Sequence, residues 1–288
     1  MIESADIENA TSLLEKLRGE FQVLLDEGRL ELPLLPGIAA QVMQASSDEK
    51  CDAKKLSSLI HRDQSMASHV LRLANSPLYA SRVQIISLQQ AVSRLGLKKI
   101  GEMALIISCK SRVFQVKGFE PELRALFRHS LAAGAFAQEI ARLRRWNVEE
   151  AFLCGLLHDV GKPVALQTLN DLLDGRLDRP SREDIFGLVD EFHPVTGGRL
   201  AADWKLPARL GETICYHHDP ESAPNMVQAA TMTRFASDLA HLALGTRVVT
   251  EEAIRQHPAL PRLNLYPNDV DSLLARCQEV IAMVEAVA

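Results

Sequence analysis

Residues Ala151 to Leu157 are all apolar or small, and they run directly into an ionisable pair, His158 and Asp159. A segment apolar on every side is a buried helix. A carboxylate at its end must then be paired, hydrogen-bonded or bound to a metal, because a buried charge without a partner costs several kcal/mol or more. The chain therefore has to bring further polar groups to this point.

The flanking sequence is punctuated like an all-helical protein. Over residues 8–27 the apolar positions Leu13, Leu14, Leu17, Phe21, Leu24 and Leu25 recur at helical spacing, up to a stop at Gly28. Short helices are predicted from Ile38 to about Ala45, after a cap at Asp52, over Ser65–Ala74, after Ser87 to Leu95, and from Leu97 to about Cys109. Asn75-Ser-Pro77 and Gly96 act as breakers. Val113-Phe-Gln-Val116 is too short to count as a strand. A long helix is expected over about 121–145. Others follow at 149–158, 163–173, 182–191, 194–204, 207–218, 226–244, 251–256 and 268–287, with proline repeatedly at the first helical position. The expectation is an all-α, non-bundle fold without internal repeats.

Charge and cysteine usage exclude some functions. The formal net charge of -5 argues against binding nucleic acid through phosphate contacts. Cys51, Cys109, Cys154, Cys215 and Cys277 lack CxxC spacing, so a reducing compartment and no thiolate metal site are expected. The acidic start Met1-Ile-Glu-Ser-Ala-Asp6 is unlike a secretory leader, and no apolar run is long enough to cross a membrane. A cytoplasmic protein is expected.

Further candidates lie on buried faces. His129 shares a stripe with Leu126, Ala133 and Phe136. His217 and His218 share a face with Leu210 and Ile214, His193 precedes Pro194 at an expected helix start, and Asp238 sits among Phe235, Leu239 and Leu242. Each has an ordinary explanation: a hydrogen-bonded core histidine, a polar helix end, an Asp238–Arg234 pair. His61, His69, His241 and His257 are assigned no role. Five imidazoles and two carboxylates without thiolate suit Fe, Mn, Zn or similar ions. Seven ligands can serve two ions about 3.5–4 Å apart, with Asp159 as the bridge.

The order His129…His158-Asp159…Asp238 resembles the HD phosphohydrolase superfamily. Leu32-Pro-Leu-Leu-Pro36, Asn75-Ser-Pro77, Ile86–Gly96, Phe152–Lys162, His193–Pro207 and Ile214–Pro220 resemble, more specifically, the HDOD domain, a branch associated with bacterial signalling. The resemblance spans about 23–245. It implies an HD-domain-like multi-helix fold: an N-terminal helical part (1–118, with 1–22 as an extension) packed on an HD core (119–245), then a C-terminal helical extension (246–288). Similarity to HD-GYP phosphodiesterases implies one ion on His129, His158, Asp159 and Asp238, and a second on Asp159, His193, His217 and His218. It also implies that Lys162 contacts a substrate phosphate, from a turn favoured by Pro163. The metal is expected to be Fe, Mn, Zn, Ni or Mg.

Three departures bound these expectations. Ala125 stands where some relatives carry a third-metal Glu, Asp63-Gln64 replaces the family's Asp-Pro, and Asp219-Pro-Glu-Ser-Ala-Pro-Asn225 lacks the GYP substrate loop. Two functions follow from the resemblance. One is a regulatory protein with a retained metal site, acting on a separate signalling partner. The other is a working phosphohydrolase on a nucleotide or other phosphate-containing small molecule. The C-terminal stripe Val270, Leu273, Leu274, Cys277, Val280, Ile281 and Val284 is expected to pack back on the domain.

Overall fold

In a computed structural model, residues 2–35, 37–46, 48, 50–75, 84–113 and 115–287 are described, and they are helical with no strand among them. Pro36, Ser76, Pro77 and Phe114, which carried sequence expectations, lie outside them. Six helices make up the first part: α1 (Ile2–Asp26), α2 (Gly37–Ser46), α3 (Ala53–Ile60), α4 (Gln64–Ala74), α5 (Leu88–Leu95) and α6 (Leu97–Ser108), the last continued by a π turn, Cys109–Val113. Asp52, Asp63 and Ser87 cap α3, α4 and α5 by accepting a backbone N–H two or three residues into each helix, an arrangement worth about 1 kcal/mol per cap.

The second part is built on α7 (Glu120–Arg144) and α8 (Val148–Leu157), followed by α9 (Gly161–Leu172), α10 (Arg182–Asp203), α11 (Ala208–Tyr216) and α12 (Val227–Leu244). Short helices α13 (Glu251–Arg255), α14 (Ala259–Arg262) and α15 (Pro267–Ala275) lead to α16 (Cys277–Val287), which packs on α7 and α12. Glu120 and Glu122 in the first turn of α7, and Arg142 and Arg144 in its last, suit the helix dipole. The long α1 lies across α9 and α10, with Phe21 stacked on Phe192 at 4.2 Å between ring centroids.

Two glycines allow the close helix approaches that form the site. A Cβ on Gly155 would stand 2.5 Å from the Ala133 carbonyl oxygen, so α8 crosses α7 backbone to backbone. A Cβ on Gly161 would overlap the His193 carbonyl, so the start of α9 touches the middle of α10.

Several boundaries differ from expectation. Segments 182–191 and 194–204 form one helix, α10, with Pro194 inside it. Proline removes the N–H that would bond the Asp190 carbonyl, and the ring of His193 takes that carbonyl instead, at 2.9 Å. The expected 268–287 helix is two, α15 and α16, meeting at Arg276, and α14 was not anticipated. Lys162 is helical rather than in a turn, because Pro163 falls in the first turn of α9, where a missing N–H costs nothing.

Candidate metal centre

The end of α8 delivers His158 and Asp159 to the point where α7, α10 and α11 converge. His158, His193 and His217 are each almost fully buried, and in each the Nδ1 atom faces a backbone carbonyl three or four residues earlier: Gly155 at 2.7 Å, Asp190 at 2.9 Å and Ile214 at 2.8 Å. A carbonyl only accepts, so Nδ1 carries the proton and Nε2 presents a lone pair.

These lone pairs face one another and a carboxylate. His193 Nε2 is 3.4 Å from His217 Nε2 and 3.1 Å from His218 Nε2. Asp159 Oδ1 is 3.3 Å from His193 Nε2 and 3.6 Å from His217 Nε2, and Asp159 Oδ2 is 3.4 Å from His158 Nε2. Asp159, His193, His217 and His218 bring ligand-type atoms within 4.8 Å of one another, as do His129, His158 and Asp159, and the two sets share Asp159. His129 Nδ1, His158 Nε2 and Asp159 Oδ1 are buried without a hydrogen-bond partner.

Burial lowers four of these histidines. It pushes His158 down to about 4 and His218 to about 3, and it lowers His193 and, more strongly, His129. Burial alone would raise Asp159, but His158 and Lys162 beside it hold its carboxyl well below the usual range. Acceptors facing acceptors in a dry pocket repel unless a cation or proton lies among them. Nitrogen-rich donors with one shared carboxylate fit a borderline divalent ion.

Six of the seven expected ligands, His129, His158, Asp159, His193, His217 and His218, are thus gathered. Asp238 is in neither set: its Oδ2 accepts a hydrogen bond from His257 Nε2 at 3.0 Å. The Ala259 N–H donates to His257 Nδ1 at 3.1 Å, which fixes the proton on Nε2. The alternative partner Arg234 instead donates to the His218 carbonyl at 3.0 Å. Lys162 is largely but not fully buried, 3.0 Å from Asp159 Oδ2 and 3.2 Å from Asp190 Oδ1, and this pairing raises its ammonium pKa against the effect of burial.

Sequence reasoning passed over His241 and His257. His241 stacks on His129, with ring centroids 4.0 Å apart, and its Nδ1 lies 2.7 Å from Thr246 Oγ1. Its position three residues after Asp238 on α12 was the available signal. His257 reaches Asp238 from beyond α13, and no spacing rule would have linked them.

Comparison with known proteins identifies the family and the fold. The family model of the HDOD domain matches residues 32–220. A solved structure from Shewanella amazonensis, provisionally named a metal-dependent phosphohydrolase, superposes with a TM-score of 0.76 at 19% identity, covering 95% of this chain and 99% of that one. An HDOD domain protein of unknown function from Geobacter sulfurreducens gives 0.70 at 24% identity, covering 96% and 99%. Among curated proteins, an uncharacterized one from Treponema pallidum is 24% identical over 202 residues, 67% of this chain. A cyclic di-GMP phosphodiesterase of Pseudomonas aeruginosa is 36% identical over 95 residues, 32% of this chain. The matched regions span only 39% and 22% of those two relatives. No helix among the described residues is long and apolar enough to cross a membrane.

Proposed function

This chain belongs to the HDOD domain family, and we propose that it is a regulatory module of bacterial signalling whose His/Asp cluster holds two divalent ions. The observation that carries the metal is the set of Nε2 lone pairs on His158, His193 and His217, turned inward on Asp159 by their Nδ1–H bonds to backbone carbonyls. Backbone partners of this kind fix the tautomer of metal-ligating histidines. Asp159 would serve both ions, with His129 and His158 available to the first and His193, His217 and His218 to the second. Asp238 would join the first set only if it gave up its bond from His257. Fe, Mn, Zn, Ni and Mg are the candidates, with the imidazole-rich second set favouring the first four.

The regulatory reading is supported by the segment after His218. In place of a substrate loop, a short 3-10 turn (Pro220–Ser222) follows, and Glu212 braces the chain beyond it by accepting the backbone N–H groups of Asn225 and Met226. The partner in this reading is a separate signalling protein. The second reading is a phosphohydrolase acting on a nucleotide or other phosphate-bearing small molecule. The near-complete cluster and the partial likeness to a phosphodiesterase favour it. Metal ions there would supply an activated water and polarise a phosphoryl oxygen, and Lys162 would exchange Asp190 for a substrate phosphate.

Metal-loaded protein assayed against cyclic dinucleotides, nucleotides and a generic phosphodiester separates the two readings. The regulatory account expects no turnover above an Asp159→Ala control. Asp159-dependent hydrolysis of any member overturns it in favour of the enzyme.

A further inference from the structure

A second cavity lies away from the His/Asp cluster. It is a cleft of about 1500 Å³ between the N-terminal helices and the second part of the chain, walled by α4, the π turn after α6, the start of α7 and the end of α16. Its floor is apolar: Leu73, Ile106, Val116, Leu123 and Phe127 line it and are buried. Arg72, Lys110, Lys117, Arg124 and Arg128 line its sides, against Asp63, Glu120 and Glu285. The cleft is thus net positive in a chain whose formal charge is -5.

Pairing sharpens the contrast. Asp63 is occupied in capping α4, accepting from Met66 N–H at 2.9 Å, and Glu120 accepts from Gly118 N–H at 3.0 Å. Arg72, Lys117, Arg124 and Arg128 make no ion pair within 4 Å and no side-chain hydrogen bond among the described residues, although Arg124 acts on Glu120 at longer range and most arginines elsewhere on the surface are paired. Lys110 donates to the Val287 carbonyl at 2.8 Å, and burial together with the nearby Arg72 lowers its pKa. Cations held side by side at a partly enclosed cleft raise the local concentration of anions. Guanidinium forks also match phosphate oxygens two at a time.

We propose that this cleft is a binding site, separate from the His/Asp cluster, for a polyphosphate anion of nucleotide size. The phosphates would lie along Arg72, Arg124 and Arg128, and the accessible apolar lining at Ile107, Pro121 and Leu244 would take a base. Apolar and charged side chains share the lining, and the volume exceeds the roughly 300–1,000 Å³ of ordinary small-molecule pockets.

The proposal is tested by equilibrium titration of the full chain with ATP and, separately, with inorganic tripolyphosphate. EDTA is present, so that no metal-bridged binding at the cluster contributes. Saturable binding is expected, weakening with salt. It should fall by at least about tenfold in Arg72→Glu/Arg124→Glu, equivalent to about 1.4 kcal/mol, and stay within about twofold in Arg29→Glu/Arg255→Glu, which changes net charge equally through exposed ion pairs of small worth. Arg128→Gln, which reverses no charge, should weaken it in the same direction. Tighter binding of ATP than tripolyphosphate assigns the ligand to nucleotides, and equal binding assigns it to inorganic polyphosphate. No saturation by either probe at millimolar concentration overturns the proposal. So does equal weakening by both double variants when circular dichroism shows them folded.

Discussion

Lys162 and Asp159 form a buried ion pair, Nζ to Oδ2 3.0 Å, one turn apart at the junction of α8 and α9. The ammonium lies against the carboxylate that both metal sets share, so it neutralises Asp159 when no ion does. Lys162→Met should therefore destabilise the metal-free protein by about 3 kcal/mol, since it leaves a buried carboxylate short of a cation. The loss should be clearly smaller in metal-loaded protein. Urea unfolding with EDTA and with saturating metal checks this; equal losses in both would mean that the pair and the ions do not share Asp159.

Asp238 tests the ligand assignment from the other side. It is bound by His257 rather than gathered with the cluster. Asp238→Asn should weaken metal uptake at the first set while leaving about one equivalent bound. His257→Ala, which frees Asp238, should not reduce uptake. Metal analysis after dialysis gives both numbers, and loss of all metal in Asp238→Asn would move that residue to the centre of the site.

Gly161 offers a purely steric test. A Cβ there would overlap the His193 carbonyl and stand 2.5 Å from Gly197 N, and neither backbone atom can rotate away. Gly161→Ala should cost roughly 3 kcal/mol or more as an overpacking substitution, and in whatever remains folded it should displace His193 from Asp159. Gly187→Ala, where nothing lies within 4 Å, should leave thermal stability unchanged or raised. A Gly161→Ala melting temperature equal to that of the parent would contradict the packing described here.

The acid side of stability should carry the signature of neutral buried histidines. Burial pushes His158 and His241 down to about 4 and His218 to about 3. Between these values and the ordinary 6.5 the unfolded chain binds protons that the native chain refuses, so stability falls as pH falls through that window. His158 alone accounts for roughly 3 kcal/mol. Glu102 works in the opposite sense: burial raises its carboxyl to about 7, so the native chain takes up a proton first and gains stability as pH falls from 7. In EDTA, Glu102→Gln should therefore be more stable than the parent at pH 8, and should lose stability more steeply between pH 7 and 4.5. A parallel pH profile in the two proteins would be inconsistent with these assignments.

Much of this was legible in the sequence, for identifiable reasons. An apolar run ending on His158-Asp159 admits few alternatives, and the faces of His129, His217 and His218 followed from helical spacing. Pro194 was misread as a boundary because the sequence does not reveal that a neighbouring imidazole takes the freed carbonyl of Asp190. Pro163 pointed to a turn at Lys162, but in the first turn of α9 the proline is accommodated within the helix, and the ammonium lies between Asp159 and Asp190; its contact with a phosphate rests on the family resemblance alone. The Asp238–His257 bond and the basic cleft join residues distant in the chain, and only the packed structure brings them together.

The central claim is most directly tested by metal content. Protein purified without chelator, and again after titration with Fe, Mn, Zn, Ni and Mg, should carry up to two equivalents of one of these ions. Asp159→Ala should carry none, because both sets use that carboxylate. Asp159→Ala protein that keeps its parent's stoichiometry, or a parent that takes up no ion on titration, would contradict it.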